Sequence, residues 1–127
     1  MMTFRVGVDI VSINRFEEDV LLSQSFLDRC FTSTEQRYCF SQSRPSQHFA
    51  VRVAGKEAVL KALSGFNLRL DFNRIEITNE MSGRPKVTYL TNDPAFKTLI
   101  TDISLSHSQI SAIAFALIYI VDADTFI

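Results

Sequence analysis

Two cysteines, Cys30 and Cys39, are all that the 127-residue sequence contains. They are too widely spaced for a CxxC redox motif and too few for a zinc cluster, so both are expected as reduced thiols. A block of basic charge is also missing. The 13 Lys and Arg are scattered and are balanced by 14 Asp and Glu, for a formal net charge of -1. That leaves no global attraction for nucleic acid or an anionic membrane, and any charged partner must be met by a local patch. The most apolar stretch, Ile110 to Val121, is interrupted by Ser111 and falls short of the ~20 residues a spanning helix needs, so it reads as a buried strand. The segment Met1-Met2-Thr3-Phe4-Arg5-Val6-Gly7-Val8-Asp9 lacks the apolar core of a signal peptide and meets an acid almost at once. A cytoplasmic protein with no nucleic-acid and no membrane partner is therefore the expectation. Repeats, linkers and low-complexity tracts are absent too, and residues 1–127 read as one domain.

What is present suits a globular core. The apolar share is 46% and the charged share 21%. A chain of this size buries roughly two thirds of its unfolded surface, enough to need neither disulfides nor a structural metal, so any metal would be functional. Phe4, Val6, Val8 and Ile10 alternate with Arg5, Gly7 and Asp9, the period of a strand with one face buried, and Asp9 points away from the Phe4/Val6 side. A helix is expected from Ser12 toward Leu22, and another around Thr34 to Phe40, with Thr32-Ser33-Thr34-Glu35 supplying candidate caps. The best helix runs from about Ser46 to Leu63, with Phe49, Val53, Leu60 and Leu63 on one face. Pro45 and Gly65 punctuate its ends. Arg74 to Ile77 and Lys86 to Leu90 read as strands around a Ser82-Gly83-Arg84-Pro85 turn, and Ile110 to Val121 as the last strand. The class is α+β: a single compact domain with one long central helix packed on a small, mostly antiparallel sheet.

Glu57 and Lys61 lie four apart on that helix and project from one face, with Ala50 and Ala54 leaving room along the same stripe. The plain reading is a surface ion pair worth ~0.2–0.5 kcal/mol. Asp9, at a strand end, is by itself more often a turn or cap residue than a ligand. His107, after Ile103-Ser104-Leu105-Ser106, is as readily a histidine satisfied by local backbone, and His48 reads as an exposed surface residue. Taken together, a strand carboxylate and a helix carboxylate suit Mg2+, which takes one or two protein carboxylates and leaves room for water and substrate phosphates. With a lysine beside them they form the kit of phosphoryl transfer.

The order of three motifs is more specific. Gly7-Val8-Asp9-Ile10-Val11 with Arg15 comes first, then Phe31-Thr32-Ser33-Thr34-Glu35 with Tyr38, then Phe49-Ala50-Val51-Arg52-Val53-Ala54-Gly55-Lys56-Glu57-Ala58-Val59-Leu60-Lys61-Ala62-Leu63. Ile75-Glu76-Ile77, Gly83-Arg84-Pro85, Leu105-Ser106-His107-Ser108 and Ser111-Ala112-Ile113-Ala114 follow at matching spacing. From about Phe4 to Val121 this resembles the holo-acyl-carrier-protein synthase group of the 4'-phosphopantetheinyl transferases. The resemblance implies a 4'-phosphopantetheinyl transferase-like fold and transfer of 4'-phosphopantetheine from coenzyme A to a serine of apo acyl carrier protein, in support of fatty acid synthesis. It implies Mg2+ held by Asp9 and Glu57, Lys61 contacting phosphate, and Arg52 and His107 helping to bind the coenzyme. Gly83 and Pro85 would shape the loop beside the ligand.

It implies, further, a homotrimer with active sites at subunit interfaces, and docking of the acidic carrier on basic residues of the first helix. Here Arg15 is followed by Glu17-Glu18-Asp19, whose charge should repel an acidic helix. Smaller departures are Gly55, where alanine is common and where a close neighbour is expected, and Ser108, where relatives often carry Glu or Thr. The competing functions are a coenzyme A or nucleotide binding module without transferase activity, and a metal-dependent pyrophosphate hydrolase.

Overall fold

The computed structural model of the chain describes residues 2–17 and 19–121. Strand β1 (Met2–Ser12) leads through a 3-10 turn (Ile13–Phe16) into three short helices, α1 (Asp19–Leu22), α2 (Gln24–Cys30) and α3 (Ser33–Phe40). The central helix α4 (Pro45–Ser64) follows, then a 3-10 turn (Phe72–Arg74) and strands β2 (Ile75–Asn79), β3 (Pro85–Tyr89), β4 (Ile100–His107) and β5 (Ser111–Val121). The strands form two antiparallel sheets, β1-β5-β4 and the hairpin β2-β3. The α+β architecture read from the sequence stands.

The boundaries of α4 fall where Pro45 and Gly65 place them. Its environment differs from a one-sided helix. Residues from Phe49 to Val59 are buried almost all round, Arg52 and Lys56 included. The helix lies against β1 and β5 on small residues: Gly7, Ala112, Ala114 and Ala116 are buried in the sheet, opposite Ala54, Ala58 and Ala62. A methyl at Gly7 would sit 1.9 Å from the Ala58 carbonyl oxygen, so this glycine is what lets strand and helix touch.

Three expectations change. The segment after Ser12 is broken into a 3-10 turn and two short helices, and α2 was not foreseen. Strand β4 was also not foreseen, because its alternation of Ile103 and Leu105 with Ser104 and Ser106 is short and shares residues with the His107 motif. Most consequentially, β1 keeps the expected alternation but presents the opposite face to the core. Gly7, Asp9 and Val11 face α4, whereas Val6 (57% exposed) and Ile10 (66%) stand open with Phe4 and Val8. In register with them, β5 adds Ile113 and Phe115 to the same uncovered apolar face.

A polar network ties the helical layer to the hairpin. Thr32 caps α3 in a capping box with Glu35, as its sequence suggests. Glu35 is itself buried, and so is its partner Lys56: Nζ lies 2.6 Å from Glu35 Oε1. Cys39 is fully buried, and burial pushes its thiol up to about 12; Cys30 is half-buried and raised in the same direction. Both thiols are free, as expected.

Candidate active site

Asp9 and Glu57 open into one cavity of about 320 Å3 between the end of β1 and the middle of α4, walled by Arg15, Phe16, Cys30 and Phe72. Both carboxylates are half-buried. The Glu57–Lys61 ion pair suggested by their spacing does not form. Lys61 instead reaches across to β1, where Nζ donates to the Val8 carbonyl at 2.8 Å and lies 3.3 Å from Asp9 Oδ1. Helix and strand thus present two acids and one ammonium at a single place, and Glu57 keeps its oxygens free of any ion pair among the described residues.

This donor set suits a hard divalent cation. Among the described residues no group of three or more His, Cys, Asp or Glu is placed to hold a metal. Two carboxylate donors in a cavity with space for water and phosphate oxygens match the habit of Mg2+.

The remaining predicted site residues gather elsewhere. Arg52 lies five positions before Glu57, about 140° round the helix. Its guanidinium stacks 4.5 Å above the Tyr38 ring while Nε donates to the Ile77 carbonyl, and the residue is 3% exposed. Arg52 therefore supports the wall of its surroundings and is not an open donor. His48 is half-buried edge-on against Tyr38, not exposed as its sequence position suggested. Burial first, then the charges of Arg52 and His107, lower its pKa. His107 ends β4, exposed, with Nδ1 3.4 Å from the Ser108 carbonyl. Gly83 turns the β2–β3 hairpin at φ 90°, and Pro85 opens β3. Between them Arg84 bonds Asp102 of β4 at 3.0 Å. Within one chain, then, Asp9, Glu57 and Lys61 form one cluster, while Arg52 turns away from it onto Tyr38 and His107 stands exposed at the end of β4.

A more open hollow of about 510 Å3, lined by Val20 and Ser23, adjoins the cavity and shares Arg15, Phe16 and Phe26 with it. Glu17, the first acid of the run after Arg15, is turned to Arg44 at 3.2 Å. Glu18 lies outside the described residues. What the sequence did not reveal are the walls: Phe16, Phe26 and Phe72 fall in none of the motifs singled out, and Cys30 was expected only as a reduced thiol.

The family model of the 4'-phosphopantetheinyl transferase superfamily matches residues 5–116. The chain is 39% identical over 121 residues to the holo-[acyl-carrier-protein] synthase of Protochlamydia amoebophila, an alignment that covers 91% of this chain and 97% of the relative. It is 41% identical over 113 residues to that of Geobacter sulfurreducens, covering 87% and 86%. Among solved structures, the Chronobacterium ammoniagenes ACPS-CoA complex is similar with a TM-score of 0.78 at 26% identity, covering 94% of this chain and 99% of that one. A Bacillus anthracis holo-(acyl-carrier-protein) synthase in complex with CoA is similar with a TM-score of 0.76 at 28% identity, covering 95% and 100%.

Proposed function

The chain belongs to the 4'-phosphopantetheinyl transferase superfamily, and on that basis we propose that it transfers 4'-phosphopantetheine from coenzyme A to a serine of apo acyl carrier protein, in support of fatty acid synthesis. The observation that carries the reading is the convergence of Asp9 and Glu57 in one cavity with Lys61 alongside. Asp9 and Glu57 would hold Mg2+, which would supply charge neutralisation at the pyrophosphate. Among the described residues Lys61 is tethered by one carbonyl and one carboxylate oxygen; it is half in solvent, and swings its ammonium onto a phosphate oxygen. The carrier serine oxygen bonds to the β-phosphorus, and the bond from that phosphorus to the bridging oxygen breaks. Adenosine 3',5'-bisphosphate leaves, and the serine proton passes to water or a carboxylate. Gly83 and Pro85 shape a loop beside the coenzyme, His107, exposed at the end of β4, contributes to the coenzyme's binding surface, and Arg52 backs that surface through Tyr38 and the Ile77 carbonyl.

The working form is a homotrimer in the cytoplasm. One observation supports assembly: the open apolar face of β1 and β5. The carrier approaches over the hollow beside Arg15, where the Glu17–Arg44 pair removes one acid from the repulsive run.

The test is intact-mass spectrometry of an apo carrier protein incubated with the chain, coenzyme A and Mg2+. One phosphopantetheine adduct on serine is expected, lost with Glu57→Ala or on chelation. Cleavage of coenzyme A without an adduct would establish a hydrolase instead, and binding without cleavage a binding module.

A further inference from the structure

We infer that the buried Lys56–Glu35 pair is the positioning device of the metal-phosphate cavity, holding its walls at a fixed distance from Glu57 without touching substrate. The inference rests on the reading of Asp9 and Glu57 given above. Lys56 directly precedes Glu57 in α4, and all three protons of its ammonium have acceptors: Glu35 Oε1 at 2.6 Å, the Cys30 carbonyl at 2.7 Å and the Phe72 carbonyl at 2.8 Å. Cys30 and Phe72 are both walls of the cavity that Asp9 and Glu57 enter. They belong to segments 42 residues apart, the end of α2 and the start of the second 3-10 turn, and they meet on one cation beside Glu57.

Glu35 extends the device. Its Oε1 also accepts from the Thr32 amide at 2.9 Å, and Oε2 accepts from the Ile77 amide at 2.8 Å. The pair therefore joins α2, α3, β2 and the 3-10 turn to the residue before the proposed metal ligand. A fully desolvated ion pair is a poor way to gain stability alone, because well-packed apolar side chains of similar volume serve as well or better. What apolar side chains cannot do is hold two carbonyls and a carboxylate at hydrogen-bond length. Displacing these walls by about 1 Å would suffice to cost a phosphoryl-transfer site much of its power.

The decisive measurement is Mn2+ binding by paramagnetic resonance, with and without coenzyme A, beside steady-state KM values. In Lys56→Met combined with Glu35→Met, which leaves no unpaired buried charge, the folded protein should bind Mn2+ and coenzyme A at least tenfold more weakly, while KM for the carrier stays within twofold. Glu35→Gln is the milder second variant. It keeps an acceptor for Lys56 but places an amide N–H2 or a single oxygen where two oxygens now serve, and a several-fold shift in the same direction is expected. Wild-type Mn2+ and coenzyme A affinities in either folded variant overturn the inference and leave a purely structural pair, even if melting temperature falls. Glu57→Ala in the same titration separates the two levels of the argument: unchanged Mn2+ binding there overturns the reading of the site itself.

Discussion

Gly7→Ala tests whether the site depends on how closely β1 approaches α4. The added methyl would lie 1.9 Å from the Ala58 carbonyl oxygen, 2.8 Å from its carbon and 3.0 Å from Lys61 Cβ. Unstrained contacts between heavy atoms lie near ~3.5 Å, so strand and helix must part by more than about 1 Å. The obstacle is backbone of a helix buried on nearly every side and cannot rotate away. Overpacking usually costs ~1–3 kcal/mol, and with no flexible partner the upper end is expected, a loss of roughly 10 °C in Tm for a domain of this size. Gly7 lies two residues before Asp9, and the clash falls between Ala58 and Lys61, so the separation also widens the gap that Lys61 spans to Val8 and Asp9. Transfer should fall about a hundredfold in protein that is still folded at 20 °C. Circular-dichroism melts and the intact-mass assay read the two effects separately. A variant with wild-type Tm and wild-type transfer would refute the reasoning.

Val8→Asp puts a charge in the middle of the open apolar face; light scattering should show the proposed trimer reduced to the 14.4 kDa chain, with transfer abolished although Asp9 and Glu57 are untouched. Gly55→Ala is expected to be nearly neutral in urea unfolding, because the ~1 kcal/mol helix-propensity gain is offset by contacts at 2.6–3.3 Å with the side-chain ends of Ile77, Ile103 and Leu105. His48 has a folded pKa below its unfolded value near 6.5, so the unfolded chain binds the extra proton first. Its contribution is whole above about 6.5 and lost as pH falls through the lower folded value, and His48→Gln should flatten the stability profile in that window.

The parts of the molecule legible in the sequence are those whose signal is local. Pro45, Gly65 and the Thr32–Glu35 capping box act within a turn of the backbone, and they mark α4 and α3 where they occur. Glu57 and Lys61 could be placed on one helical face from spacing, but their partner could not. Lys61 pairs with Asp9, 52 residues away, because strand and helix meet at Gly7. Lys56 shows the same limit more sharply. Between Gly55 and Glu57 it reads as one more charge on a helix, and only the convergence of Cys30, Glu35 and Phe72 makes it a core residue.

Strand β1 shows why alternation is only half of an inference. A period of two separates the side chains into two sets but does not say which set the protein itself covers. Hydrophobicity favours Phe4, Val6, Val8 and Ile10 for the core, yet a helix can approach closely only over small residues, and Gly7 together with Ala112, Ala114 and Ala116 offers that surface on the other side. The apolar set is left open in register with Ile113 and Phe115. One strand then serves both requirements of the proposed enzyme: its odd positions carry Asp9 to Glu57 and Lys61, and its even positions offer an open apolar face on which a neighbouring chain can dock. In the proposed trimer, assembly and catalysis are linked through alternate residues of a single strand, so a substitution at Val8 and one at Asp9 should both abolish transfer, the first with loss of the proposed assembly and the second without it.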